Sequence, residues 1–310
     1  MKIQGPCFDL STAELKKANL ERPIFTSSAD FENALKQLGF FPGMKVVVHT
    51  RFSSLGRFEN GPENFCAILK RMISEDGLLM MPGLVSYPGD GESFTYDPET
   101  TPVNVGIVAE TFRKQPGVLR SWDPTHSFCV WGKDKEFYIR NHHKLHAMHR
   151  DSPLGLLEQT GGYCMLIGCL GSVTFMHVVE TANQAHCLGT RTEEYPAVIH
   201  GKLVKLRGWG WRNGNCRAWN VNSVYKFMRE HGTVSEKMLG RSHLVLFRLK
   251  DFRTAYETFL HDPAIGCTSC DIKPRCVKQS VPSDWDAARD QLRKTDAFLG
   301  DYAIETTTAR

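Results

Sequence analysis

The sequence predicts an α/β fold: a single layered domain followed by a cysteine-containing C-terminal extension. Three observations predict it. Short β-branched or apolar runs alternate with amphipathic helical segments along most of the chain. Gly and Pro punctuate the changes of pattern. Beyond about residue 262 the composition shifts to Pro, Cys and charge, with a terminal helix expected near 284–293. The division read from this is a domain over 1–260 and an extension over 261–310.

The elements follow in order. Ser27-Ser28 can cap a helix whose apolar face carries Phe31, Leu35 and Leu38, closed by Gly39. The run Lys45-Val46-Val47-Val48-His49 has the length and branching of a buried strand. Pro62 opens a helix with Phe65, Ile68, Leu69 and Met72 on one face, and Gly77 ends it. Leu78-Leu79-Met80-Met81 is the next strand, stopped by Pro82-Gly83. Then come a helix over 107–114, a strand over 127–131, a helix from Ser152-Pro153, a strand over 163–168 and a helix over 174–183. Further strands and helices near 198–206, 222–231, 243–248 and 250–260 complete the alternation.

Composition narrows the function classes. The chain has 310 residues, 41% hydrophobic and 23% charged, as a globular protein has. A net charge of +4, dispersed along the chain, argues against a nucleic-acid partner. No apolar run approaches the ~20 residues of a membrane helix, and the first residues lack a signal-peptide pattern. Ten cysteines are too few for a disulfide-built scaffold, so a cytoplasmic location with reduced thiols is expected. The phosphate loop, the dinucleotide fingerprint, the G-x-S-x-G elbow and H-E-x-x-H are all absent from the sequence.

Chemistry concentrates in a few places. In Met176-His177-Val178-Val179-Glu180, the His and Glu stand at i and i+3, on one side of a helix. A carboxylate there can orient the imidazole as a general base, or the two can form a surface ion pair without consequence. His49 ends a strand and enters the turn Thr50–Gly56; α/β sheets place ligands at such ends, although a His there can also cap a carbonyl. His126 precedes the strand at 127–131 and carries the same two readings. His142, His143, His146 and His149 lack a recognisable zinc spacing and read as a solvated polar segment. Cys267, Cys270 and Cys276 can supply three ligands of a structural zinc site or part of an iron–sulfur site, with His261, His243 or Cys216 as a fourth, or can be reduced surface thiols.

The order of these pieces resembles the aminoglycoside 3-N-acetyltransferase family. The similarity runs through His49-Thr50 and the Ser53-Ser54-Leu55-Gly56 turn, Gly77–Pro82, and the stretch Tyr96-Asp97-Pro98-Glu99-Thr100-Thr101-Pro102. It continues through Gly106-Ile107, Glu110, Phe112-Arg113, Pro116-Gly117, Arg120-Ser121, His126-Ser127-Phe128, Ser152-Pro153-Leu154, Gly161-Gly162, Leu166-Ile167-Gly168 and His177–Glu180. The resemblance implies transfer of acetyl from acetyl-CoA to an amine of an aminoglycoside, with His177 as catalytic base and Glu180 as its acidic partner. It puts His49, Thr50, Arg51, Ser53 and Ser54 beside acetyl-CoA. Asp90, Glu92, Asp123 and His126 are the candidates for receiving a polycationic acceptor. Arg51-Phe52, Val103 and Asp123 depart from the family's usual residues, which leaves the acceptor open. The alternatives are an N-acyltransferase on a biosynthetic amino sugar or phosphonate amine, and a non-catalytic protein using the cysteine loop as a metal site.

Overall fold

A computed structural model describes residues 12–85, 94–145, 147–183, 191–210 and 221–263. The helix expected near 284–293 lies outside these residues.

The first described helix, α1 (Thr12–Glu21), leads to a short strand β1 (Phe25–Thr26) and to α2 (Ser28–Leu38). Helix α2 begins where the Ser27 side chain accepts the Asp30 N–H at 3.1 Å, and stops at Gly39, whose φ of 101° suits glycine. Strand β2 (Lys45–Thr50) follows, then a 3-10 turn over Phe52–Leu55, the short β3 (Arg57–Phe58), α3 (Gly61–Ile73) and β4 (Leu78–Pro82). Next are α4 (Ile107–Arg113), β5 (Leu119–Arg120), β6 (Phe128–Gly132), α5 (Lys135–Ile139) and α6 (Pro153–Gln159). Strand β7 (Tyr163–Ile167) and α7 (Met176–Ala182) precede a hairpin of β8 (Arg191–Ile199) and β9 (Lys202–Gly210). The series ends with α8 (Val221–Glu230), β10 (Val234–Leu239), β11 (Ser242–Arg248) and α9 (Leu249–Leu260).

Seven strands form one mixed sheet in the order β10-β11-β7-β2-β4-β6-β5. Its centre, β7-β2-β4, is parallel, and antiparallel strands flank it on both sides. Side chains alternate across the sheet as the pleat requires. Val47, Met80, Leu166 and Val245 point to a core closed by α6, α7, α8 and α9, whereas Val46, Val48, Met81 and Ile167 point to one closed by α2, α3 and α4. Both sheet faces are therefore covered, and the predicted layered α/β class holds.

Two local expectations change. The single strand expected at 198–206 is interrupted by the turn His200-Gly201, where both residues have positive φ (48° and 73°). That is the backbone of a two-residue hairpin turn, and the apolar run on either side of it hides it. The four-histidine segment is not a solvated tract. His142 and His143 are buried, while His149 meets Asp151 on a more open surface. His142 sits between the Ser121 hydroxyl (2.8 Å) and the Ala147 carbonyl (2.9 Å), so burial leaves neither ring nitrogen unpaired.

Candidate active site

The sheet gathers the polar residues at one end. Strands β2, β4 and β7 run parallel and finish together at Thr50, Pro82 and Ile167. Because β6 and β11 are antiparallel to their neighbours, both start at this same end. Their first turns bring in Ser127, Ser242 and His243. The carboxyl ends of parallel strands are where α/β sheets open a crevice for ligands.

Helix α7 lies beside this end, reached from β7 through Gly168–Phe175. Met176, Val178 and Val179 bury their side chains in the core, and His177 is left partly open with 13% of its side chain exposed. One turn on, Glu180 is fully buried, and its Oε2 lies 2.7 Å from His177 Nδ1. The Tyr256 hydroxyl on α9 donates to the other oxygen, Oε1, at 2.6 Å. Both carboxylate oxygens are thus engaged, as a buried carboxylate requires. A carboxylate only accepts, so Nδ1 is the nitrogen that donates to Glu180, and Nε2 lies on the far side of the ring. The His–Glu pair expected from i, i+3 spacing is present, and it is a buried pair rather than a surface one.

His126 stands on the loop before β6, near enough to His177 for that imidazole to act on its charge. Burial, opposed by Asp123 and reinforced by His177 and His142, lowers its pKa to about 4. It is therefore a neutral ring near neutral pH. Asp123 is fully buried. Its Oδ1 accepts the Thr125 N–H at 2.8 Å, the Thr125 hydroxyl at 2.9 Å and the His126 N–H, which builds the turn that presents His126. Its Oδ2 has no donor among the described residues.

Beneath that loop lies Arg120, a buried guanidinium to which the Arg120-Ser121 match alone gives no role. Its nitrogens donate to the Ser127 hydroxyl at 2.9 Å, the Gly83 carbonyl at 2.6 Å and the Thr101 carbonyl. One planar fork therefore ties the end of β4 to two loops. The long stretch from Tyr96 to Arg113 is scaffold of the same kind. Asp97 Oδ1 accepts the Glu99 N–H at 2.8 Å, and Glu110 Oε2 accepts both the Val103 N–H at 3.0 Å and Arg113 Nε at 2.9 Å. Arg113 holds the Glu110 carboxyl down to about 2.

At the end of β2, His49 is buried on the Val47 face of the sheet. Burial drives its pKa down to about 4, and its Nε2 has no partner among the described residues. Thr50 Oγ1 likewise has none. The turn after it is held firmly: Ser54 Oγ donates to the Arg51 carbonyl at 2.7 Å and meets Ser242 Oγ at 2.9 Å. Ser54 is thus a buried brace, whereas Ser53 is exposed and Arg51 half-buried. Gly168 presses on this turn. With φ at +64°, a Cβ there would stand 2.2 Å from Ser54 Oγ. Helix α1 closes the turn from outside, where Asn19 Nδ2 donates to the Ser53 carbonyl at 2.8 Å and Arg241 Nη1 donates to Asn19 Oδ1 at 2.7 Å.

Asp90, Glu92, Cys267, Cys270 and Cys276 lie outside the described residues. Among the described residues no three His, Cys, Asp or Glu side chains are grouped to hold a metal ion, so zinc gains no support. His243, considered as a fourth ligand, meets Glu236 at 3.3 Å, and His261 meets Asn183 at 2.9 Å. Among the described residues no helix is long and apolar enough to cross a membrane.

Comparison with known proteins accords with this geometry. A family model described as aminoglycoside 3-N-acetyltransferase matches residues 47–261. A prophage-derived aminoglycoside N(3')-acetyltransferase-like protein of Bacillus subtilis (strain 168) is 30% identical over 191 residues, 55% of this chain and 70% of that protein. Aminoglycoside N(3)-acetyltransferase IV from Salmonella sp. is 27% identical over 268 residues, 83% of this chain and 96% of that enzyme. The crystal structure of aminoglycoside acetyltransferase AAC(3)-Xa superposes with a TM-score of 0.70 at 20% identity, covering 83% of this chain and 99% of that one. AAC-IIIb in binary complex with CoASH superposes with a TM-score of 0.69 at 20% identity, covering 78% of this chain and 98% of that one.

Proposed function

The chain belongs to the aminoglycoside 3-N-acetyltransferase family and is thereby an acetyltransferase, and we propose that it moves acetyl from acetyl-CoA to an amino group of an aminoglycoside by direct attack, with His177 as the general base. The observation that carries this reading is the buried Glu180 carboxylate against His177 Nδ1, which leaves Nε2 as the proton acceptor.

The reaction divides among the residues as follows. The acceptor amine gives a proton to His177 Nε2 as its nitrogen bonds to the thioester carbon. The carbon–sulfur bond breaks, and the proton passes to the departing sulfur, releasing CoA as a thiol. Glu180 stabilises the imidazolium that exists between those two proton movements. At the end of β2, the unpartnered Thr50 hydroxyl and His49 Nε2 are suited to the thioester and its neighbouring amides, since a buried polar atom without a protein partner invites one from a ligand. A donor to the oxygen on which charge develops is commonly worth ~3–4 kcal/mol. Arg51 and Ser53, at the open side of the same turn, are the residues for the more polar parts of CoA. On the acceptor side, Asp123 Oδ2 offers a buried negative charge to an ammonium group. His126, neutral, offers a hydrogen bond beside it.

Thiol release from acetyl-CoA against a panel of aminoglycosides (gentamicin, kanamycin, apramycin, kasugamycin) tests the activity. Replacing His177 with Ala is expected to lower turnover by ~10²–10⁴-fold with an unchanged melting curve. Near-normal turnover in that variant removes His177 from the role.

A further inference from the structure

Helix α7 has only seven residues, too short to hold a catalytic geometry by itself. What it leans on is α9. Phe252 packs in the core against Phe175 with ring centroids 6.1 Å apart, and Arg253, paired with Glu158 of α6, lies over the same Phe175 ring at 5.7 Å. One turn further along α9, Tyr256 donates to Glu180 Oε1. Beyond that, Glu257 Oε1 accepts from Asn183 Nδ2 at 2.9 Å, and His261 Nε2 meets Asn183 Oδ1, at the residue where α7 ends. Residues 252, 253, 256 and 257 share one helical face, His261 follows just past the end of α9, and successive turns of α9 meet α7 along its length.

Resting on the reading of His177 as base, we propose that Tyr256 is a positioning residue of the acetyl-transfer site. Its phenol fixes the rotation of the Glu180 carboxylate, so that Oε2 faces His177 Nδ1 and the imidazole keeps its lone pair on Nε2. Two facts support a positioning role over plain packing. Tyr256 is fully buried in the core with its ring 5.9 Å from that of Phe252, and a phenylalanine there would fill the same apolar space without a hydroxyl to pair. The hydroxyl's acceptor is the carboxylate that lies against His177 Nδ1, and that carboxylate has no exposure through which water could replace the donor.

The experiment is a double-mutant cycle on the full-length protein, using Tyr256→Phe, Glu180→Gln and the two combined. Tyr256→Phe is expected to lower kcat about 5- to 20-fold, with KM for acetyl-CoA and for the acceptor within about twofold, as a loss confined to the chemical step gives. In the Glu180→Gln background the same change is expected to cost less than twofold, because the negative charge that the phenol aims at His177 has gone. A second readout does not depend on turnover. The His177 Nδ1–H resonance, seen by proton NMR in the resting enzyme and assigned by its loss in His177→Ala, is expected to broaden or shift in Tyr256→Phe. Equal losses of kcat in both backgrounds, or an unchanged kcat together with an unchanged resonance, overturn the proposal. His177→Ala, assayed beside them, separates the two failures. Full activity there sinks the general-base reading, whereas an additive cycle with an inactive His177→Ala sinks only the role of Tyr256.

Discussion

Glu180→Gln isolates the charge of the buried carboxylate from its shape. The amide keeps a carbonyl oxygen for His177 Nδ1 and can turn its NH2 toward the Tyr256 oxygen, so the count of hydrogen bonds survives while the negative charge is lost. The cost should therefore fall on the state in which His177 carries the amine's proton. A hydrogen bond to a charged partner contributes ~1.5–3 kcal/mol. At ~1.4 kcal/mol per tenfold, its loss corresponds to a kcat lowered about 10- to 150-fold. Solvent should not soften this figure, because Glu180 has no exposed surface. Folding should be little affected, because the amide keeps both buried hydrogen bonds. The assay is thiol release at saturating acetyl-CoA and aminoglycoside near neutral pH, with a thermal melt run on the same sample. A kcat within twofold of the wild type and a normal melt would refute the reasoning, and Glu180 would then be a packing residue with a coincidental neighbour.

Two further predictions test the floor of the site. Gly168→Ala forces a methyl against Ser54 Oγ at a positive-φ position and is expected to destabilise the fold by about 1–3 kcal/mol and to raise KM for acetyl-CoA; an unchanged melting temperature would show that the β2 turn tolerates the intrusion. His49 has a pKa of about 4 when folded against 6.5 when free, so below pH 6.5 the unfolded chain binds a proton that the folded one refuses. Stability is fully present above pH 6.5 and is lost as pH falls toward 4. His49→Gln should therefore flatten the dependence of urea stability on pH by up to one proton, ~1.4 kcal/mol per pH unit, between pH 6.5 and 4; the lowered carboxyls of Glu110 and Glu236 enter the lower part of this window as the unfolded chain protonates around 4.5, and the difference between the two proteins cancels them. An unaltered slope would mean that His49 is hydrated rather than buried.

Much of the scaffold could be read from local chemistry. The caps of α2, the Pro-opened α3 and the β-branched β2 are decided by residues within one or two turns of each other, and the structure has them where the pattern puts them. The His177–Glu180 pair was readable for the same reason, since i, i+3 contact is local. What escaped is non-local. Tyr256 is 76 residues from Glu180 and reads in the sequence only as one more aromatic on an amphipathic face. Arg120 reads as a surface charge until two loops and a strand end close around it. Helix α1 packs few apolar side chains and is held instead by Arg241, more than 200 residues away. Strand β10 pairs with the edge of the sheet through its backbone, with side chains mostly half-buried, so it carries no strong period.

These non-local contacts have a common consequence for how the site works. The His177 helix is short, and the residues that pin it belong to α9, after the last sheet strand in the described chain. His177 can thus reach the geometry proposed for it only once β11 has joined β7 and brought α9 across the core. The β2 turn is likewise completed from a distance, by Ser242 at the start of β11 and by Arg241 just before it. One antiparallel strand added beside the parallel centre therefore supports both halves of the proposed reaction: its first residues brace the turn proposed for acetyl-CoA, and the helix that follows it holds the partner of the proposed base. Weak docking of β11 should accordingly impair thioester binding and proton transfer together, although no residue of that strand need touch either substrate.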